Sequence, residues 1–311
     1  LRERKSGDIY ALDRKLLVSV KSLGSYGLFS EVISSASDYI KVDNENIKEI
    51  RTLAVATIAI IWNDDSDTLP CLKQCIQTDD EWYVRSMAVE ELVRNFKDNP
   101  DTLPWLKQLA LTDKYLDVRL AAFEELVRNF KDAPDTLSWL KQPALTDKNL
   151  DVGSAVVEEL ACNFKDDPDT LPWLKKLATT NAHWSVRRAA VIELARNFKD
   201  DRDTLPILKQ RAQNDKDRFV RCTVVQELAI GWKNQPGMFE FFNDIAVNDS
   251  FKRSDDKSIA KYEINPRQTA LEIILKYYPN HPQTLPLLQD RAENDPDEQL
   301  REWVKKVMSQ K

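Results

Sequence analysis

A phrase that returns every 34 residues limits this chain more than any other feature. Asp-Thr-Leu begins at Asp67, Asp101, Asp135, Asp169 and Asp203. One further step reaches Gly237, where Gly237-Met238-Phe239-Glu240-Phe241-Phe242 keeps the apolar pattern and loses the wording. A step of 34 plus 12 then reaches Gln283-Thr284-Leu285-Pro286, so a single insertion of 12 residues, close to 250–264, interrupts the array. Periods in this range belong to solenoids, whose units stack on their neighbours. Such an array grows without a central core, so 311 residues do not imply two globular domains.

Each repeat carries two helical patterns. In the first, residues 102–111, Leu103, Leu106, Leu109 and Ala110 recur at helical spacing, Asp101 is expected as N-cap, and Pro104 falls in the first turn. The column Cys71, Trp105, Trp139, Trp173, Ile207, Phe241, Leu287 is apolar and varied in size, which suits packing between repeats better than an aromatic ligand box. The second pattern, 118–131, carries Val118, Ala121, Ala122, Leu126 and Phe130. The column before it (Tyr83, Asp117, Asp151, Ser185, Phe219, Asn265, Gln299) holds four good N-caps, and Pro266 follows at a first helical position. Pro100, Pro134, Pro168, Pro236 and Pro282 stop the helix from continuing. No segment alternates with period two, so the expected fold is all-α, a right-handed α-solenoid of about eight helix pairs. Residues 1–27 are expected to form an N-terminal capping region and 28–311 the solenoid. Pro143, in the middle of a first helix, is expected to bend it.

Charge and composition narrow the function. The 51 acidic and 45 basic residues leave a net charge of −6, which argues against generic binding to a phosphate backbone. No apolar run is long enough to span a bilayer, and Cys71, Cys75, Cys162 and Cys222 lack a disulfide-framework spacing, which fits reduced thiols in a cytoplasm. No catalytic or metal-binding residue is assigned and no cofactor is expected. The two histidines, His183 and His281, have no partner at triad or metal-ligand spacing, and Cys71 and Cys75 fit core packing better than a metal site.

Paired helices with an early proline in the first, and Asp117-Val118-Arg119 opening the second, resemble the HEAT-repeat family over about residues 28–308. The phrases Arg128-Asn129-Phe130-Lys131-Asp132-Ala133-Pro134-Asp135-Thr136-Leu137 and Asn294-Asp295-Pro296-Asp297-Glu298-Gln299-Leu300-Arg301-Glu302-Trp303 look like the HEAT arrays at the C-terminal end of bacterial, especially cyanobacterial, NACHT-type signalling NTPases. That resemblance implies a non-catalytic interaction, scaffold or sensor arm of a larger protein, starting at Leu1 with the NTPase part absent. No G-x-x-x-x-G-K-[ST] occurs here, so no nucleotide chemistry carries over. Two other readings remain open: a bilin lyase or chaperone, which needs a deep pocket, and a HEAT-like nucleic-acid binder, which needs a basic stripe.

A protein partner is expected on the side lined by the second helices. The candidate contact residues are Tyr83, Glu90, Arg94, Glu124, Arg128, Cys162, Arg188, Ile192, Arg196 and Ile230. Glu90–Arg94 and Glu124–Arg128 also make ordinary i,i+4 pairs, and Cys162, Ile192 and Ile230 break the polar rule either for a partner or for inter-helix packing. A second set is structural. Arg51, Arg85, Arg119, Arg187, Arg221 and Arg267 begin the second helices, and Asp79, Asp113, Asp147, Asp215, Asp249 and Asp295 lie in the turns before them. Pairing each arginine with the aspartate of the next repeat leaves one gap, Gly153–Asn181, where both charges are lost together. The spacing therefore predicts an Arg-to-Asp ladder with a flexible point near Gly153.

Overall fold

A computed structural model describes residues 52, 55–60, 63, 64, 66, 68–133, 135–142 and 150–310. The expected N-terminal cap, Arg51, the Pro143 bend and Asp147 lie outside the described residues. Every regular element among those described is a helix, and the fold is an α-solenoid of paired helices.

The chain divides into two units, 1–137 and 138–311. In the first, α1 (Thr68–Thr78) pairs with α2 (Trp82–Phe96) and α3 (Thr102–Thr112) with α4 (Leu116–Phe130), and α2 packs on α4. The short α5 (Thr136–Leu140) runs across the division. In the second unit α6 (Leu150–Asn163) is followed by the pairs α7 (Thr170–Thr180) with α8 (Trp184–Asn197) and α9 (Thr204–Asn214) with α10 (Arg218–Trp232). Next come α11 (Met238–Asn248), a short α12 (Lys257–Ala260) within the insertion, and α13 (Pro266–Tyr277), which pairs with α11. The last pair is α14 (Thr284–Asn294) with α15 (Glu298–Ser309). The second helices α6, α8, α10 and α13 pack one on the next.

Their contacts explain the apolar columns. Leu92 and Leu126 in the first unit, and Leu160, Leu194, Leu228 and Ile274 in the second, occupy one position of successive second helices and are all fully buried. Each contributes about 1.5–3 kcal/mol relative to exposure.

Capping differs from the sequence expectation. Asp101 sits at helical angles and makes no side-chain cap. Instead the buried Thr102 hydroxyl donates to the Phe96 carbonyl at 2.7 Å, tying the start of α3 to the end of α2. The Thr284 hydroxyl does the same to Tyr278, also at 2.7 Å. The second helices start earlier than Asp117 and its column suggest: α4 begins at Leu116, α10 at Arg218 and α15 at Glu298. Asp217 and Asp297, not Phe219 and Gln299, cap the last two, whereas Asn265 caps α13 as expected. The cause lies one turn upstream. Asp113 accepts the Tyr115 amide at 2.9 Å, an Asx turn that closes the loop and leaves the chain helical two residues sooner. Arg85, Arg119, Arg187, Arg221 and Arg301 are therefore at the fourth helical position, and Arg267 is at the second. Asp117 lies in the first turn facing the favourable end of the dipole.

Candidate interaction surface

Two kinds of contact hold one repeat to the next, and together they fix the surface the second helices present. The first is a rung. Arg187 donates to Asp215 through Nε at 2.8 Å and Nη2 at 2.7 Å. Arg221 grips Asp249 at 2.7 and 3.0 Å, and Arg267 grips Asp295 at 3.0 Å through both nitrogens. In the first unit Arg85 pairs with Asp113 through Nη2. All four pairs are buried.

Each guanidinium also reaches back to its own repeat. Arg187 Nη1 donates to the Asn181 and Ala182 carbonyls, both at 3.0 Å, and Arg221 Nη1 to the Asp215 carbonyl at 2.8 Å. Arg119 Nη1 donates to the Asp113 carbonyl at 3.3 Å. The aspartate also serves twice. Asp215 Oδ1 accepts the Asp217 amide at 2.9 Å while taking the guanidinium, and Asp249 and Asp295 do the same for Phe251 and Asp297. A buried charge pair is stable only when its remaining donors and acceptors are satisfied, and these bonds satisfy many of them. Burial raises the Asp215 carboxyl, but the bonds from Arg187 and the Asp217 amide, with the charges of Arg187 and Arg211, together hold it below the usual carboxylate range.

The second kind of contact is a lysine laid over the ring of the next first helix. Lys73 lies 5.5 Å from the centre of Trp105, Lys141 5.9 Å from Trp173, and Lys209 5.3 Å from Phe241. Where the ring is absent, at Ile207, Lys175 turns to Asp201 at 2.6 Å and Asp203 at 2.8 Å. This column was missed in the sequence because lysine on a helix reads as ordinary solvation. Its fixed 32-residue offset from the aromatics was the available signal.

On the second helices, the candidate residues fall into distinct environments. Tyr83 and Glu90 are half-buried, and Arg94, Glu124 and Arg128 are exposed. The arginines bond mainly three residues back rather than four: Arg94 to Glu91, and Arg128 to Glu125 with Glu124 at 3.9 Å. Glu91 and Glu125 are themselves buried, a column the sequence reading overlooked. In the second unit Arg196 crosses to Glu227 of the next repeat at 2.7 Å, and Arg188 bonds the Thr223 hydroxyl at 2.9 Å. Cys162 is exposed, and Ile230 is 64% exposed. Ile192 is buried, so it belongs to the helix packing and not to a contact surface. Burial raises the Glu193 carboxyl, and Glu158 raises it further against the opposing pull of Arg196 and Asn197. Burial and the nearby Glu193, Glu159 and Glu158 also raise the Cys162 thiol, which disfavours a reactive thiolate.

The insertion is anchored to its neighbours. Arg253 grips Asp297 at 2.9 and 2.6 Å and donates to the Ala260 and Glu263 carbonyls at 2.6 and 3.1 Å. Glu263 in turn takes Arg218 at 3.0 Å and the Ser254 amide at 2.7 Å. Phe251 is buried beneath three guanidiniums, those of Arg218, Arg253 and Arg267.

Among the described residues no group of three or more His, Cys, Asp or Glu is arranged to hold a metal ion, and no helix is long and apolar enough to cross a membrane. Comparison with the curated proteins returned no match. Comparison with protein families matched HEAT repeats over residues 42–127, 117–195 and 137–229. The paired helices, the stacked second helices and this match over more than half of the sequence place one conclusion beyond the geometry: the chain belongs to the HEAT-repeat family.

Proposed function

We propose that the chain is a non-catalytic interaction scaffold or sensor arm whose second helices bind a protein partner. The observation that carries this reading is an exposed arginine recurring on the second helices, Arg94 and Arg128 in the first unit and Arg196 in the second, each tied to a buried glutamate. Side chains held in place lose less freedom on binding than free ones, so a repeated, fixed cation favours recognition. At the same repeat position in α6 and α10 of the second unit, Cys162 and the exposed Ile230 replace cations with groups suited to an apolar contact. The expected partner is a protein, met in the cytoplasm.

The reading extends to a larger signalling protein, with an NTPase part preceding Leu1, on the strength of the repeat wording described above. A photo-crosslinking residue at position 196 or 230, compared with one at Arg202 on a connector, tests the surface. The expected result is a discrete protein adduct from position 196 that Ile230→Glu abolishes, and from position 230 that Arg196→Glu abolishes. Equal labelling at all three positions would refute it, and the genomic sequence upstream of Leu1 decides the NTPase question.

A further inference from the structure

On the second helices of the second unit, the balance of opposite charges changes around one exposed isoleucine. Ile230 on α10 is 64% exposed and stands in one column with Arg196 on α8 and Lys276 on α13, both exposed. One turn before that column, other repeats place a carboxylate, Glu90, Glu124, Glu158 or Glu272, whereas α8 and α10 place Ile192 and Gln226. The connectors change in the same direction. Residues 97–101, 131–135, 165–169 and 199–203 each hold at least two aspartates, but 233–237 and 279–283 hold no acidic residue. Lys233 nevertheless keeps the lysine that opens each of the four earlier connectors. Carboxylates are lost here while the cations stay.

The cations are also held in place. Lys199 lies 5.6 Å from the centre of the Trp232 ring, and Lys233 and Lys276 lie 5.1 and 5.0 Å from that of Tyr277. The Lys199 stem passes over Gly231, next to Ile230, where a Cβ would sit 3.8 Å from its Cε. The Tyr278 hydroxyl donates to the Lys233 carbonyl, fastening one connector to the next. Arg196 is shared with the buried Glu227 at 2.7 Å. A cation over a ring keeps its charge and loses less freedom on binding. Exposed carboxylates border the patch at Asp200, Glu240 and Glu272, so it is local and not the basic stripe that a phosphate backbone needs. An isoleucine at its centre suits a partner that brings an apolar group along with its charge. We propose that the Ile230 patch docks an acidic segment of another protein, which lays a large apolar side chain on Ile230 and turns carboxylates on either side toward Arg196, Lys199, Lys233 and Lys276. Packed helices lie about 8–10 Å apart, so the carboxylates flank the apolar residue at roughly three residues of extended chain. This names the partner of the second-helix surface and rests on that surface being the binding face.

The probe is a fluorescein-labelled peptide with one leucine between two short runs of glutamate, titrated by anisotropy onto the full chain. It should bind saturably at low salt and more weakly as salt rises. Ile230→Ser and Lys276→Gln should each weaken binding about tenfold, and so should glycine in place of the leucine of the peptide. Combining Ile230→Ser with the glycine peptide should cost little more than either change alone, because the two side chains meet. Ile230 and Lys276 are exposed, so both variants should melt with the unmodified chain. A lack of saturable binding at millimolar peptide would overturn the proposal, as would an affinity indifferent to Ile230 and Lys276. Equal binding of polyphosphate or of phosphatidylglycerol vesicles would overturn it too, by making the patch a general anion site. So would self-association of the unmodified chain that Ile230→Ser abolishes, since the occupant would then be a second copy. A protein adduct at position 196 alongside a failed peptide would sink this inference and spare the binding face, whereas failure of both would remove the two together.

Discussion

Two successive turns of the second unit differ in one atom pair and one missing side chain. At the turn before α10, Asp215 closes the loop onto the Asp217 amide and takes Arg187 from the preceding repeat. At the turn before α8, Asn181 closes the loop in the same way, onto His183 at 2.9 Å, but the position facing it one repeat earlier is Gly153, buried in α6. Asparagine keeps the hydrogen bond of the turn and gives up the charge. A carboxylate there without its guanidinium would be desolvated for no return. The contrast separates two tasks that one aspartate performs elsewhere: shaping its own turn and tying that turn to the previous repeat.

The largest expected effect comes from removing a rung at its most buried point. The Arg267 side chain is 2% exposed and also holds the Asp249 and Phe251 carbonyls at 2.8 and 3.0 Å. Arg267→Ala should destabilise by about 3–5 kcal/mol in urea unfolding, mostly from the carboxylate left buried and unpaired. A loss near zero would show that Asp295 finds another partner.

Building the absent rung sharpens the comparison further. Gly153→Arg and Asn181→Asp are each expected to destabilise alone. Together they should recover about 1–2 kcal/mol relative to the sum of the two, because contacting charges couple. Additive losses would mean that the gap has closed in a way a guanidinium cannot enter.

A smaller effect is expected on the first helices. Ile207→Trp supplies the ring that Lys175 lacks and should stabilise by about 0.5–1 kcal/mol. The gain should vanish in Lys175→Met, read by thermal melting of the four variants.

The smallest effect depends on pH. Glu193 has its carboxyl raised by burial and Glu158, so its contribution is full below the unfolded pKa and is lost as pH rises through the folded value. Glu193→Gln should therefore stabilise slightly at neutral pH and do nothing below about pH 4. Asp215 has the opposite sign. Its depressed carboxyl makes its rung fully present above about pH 4 and progressively lost below it.

The repeat made much of this legible in advance. A column that recurs at a fixed step carries its partner at a fixed step too, so the register Arg187-to-Asp215 could be read by counting, with Gly153 and Asn181 as the informative exception. What could not be counted was geometry inside the turn. The Asx turns moved the starts of α4, α10 and α15 by two residues, and no spacing of apolar residues reports a turn amide. Ile192 was ambiguous because its equivalents Glu124, Glu158, Gln226 and Glu272 are exposed, whereas the isoleucine is buried against its surroundings. The insertion was illegible for a different reason. Arg253 lies in the insertion and has no counterpart in another repeat, so no second copy exists to reveal that it belongs with Glu263 and Asp297.

The central claim is that each arginine and the next turn's aspartate act as a unit that holds repeats together. Equilibrium urea unfolding of Arg187→Met, Asp215→Asn and the double variant tests it most directly, since asparagine preserves the turn as Asn181 does. The account predicts a coupling of about 1.5–3 kcal/mol between the two positions. Losses that simply add, to within about 0.5 kcal/mol, would contradict it.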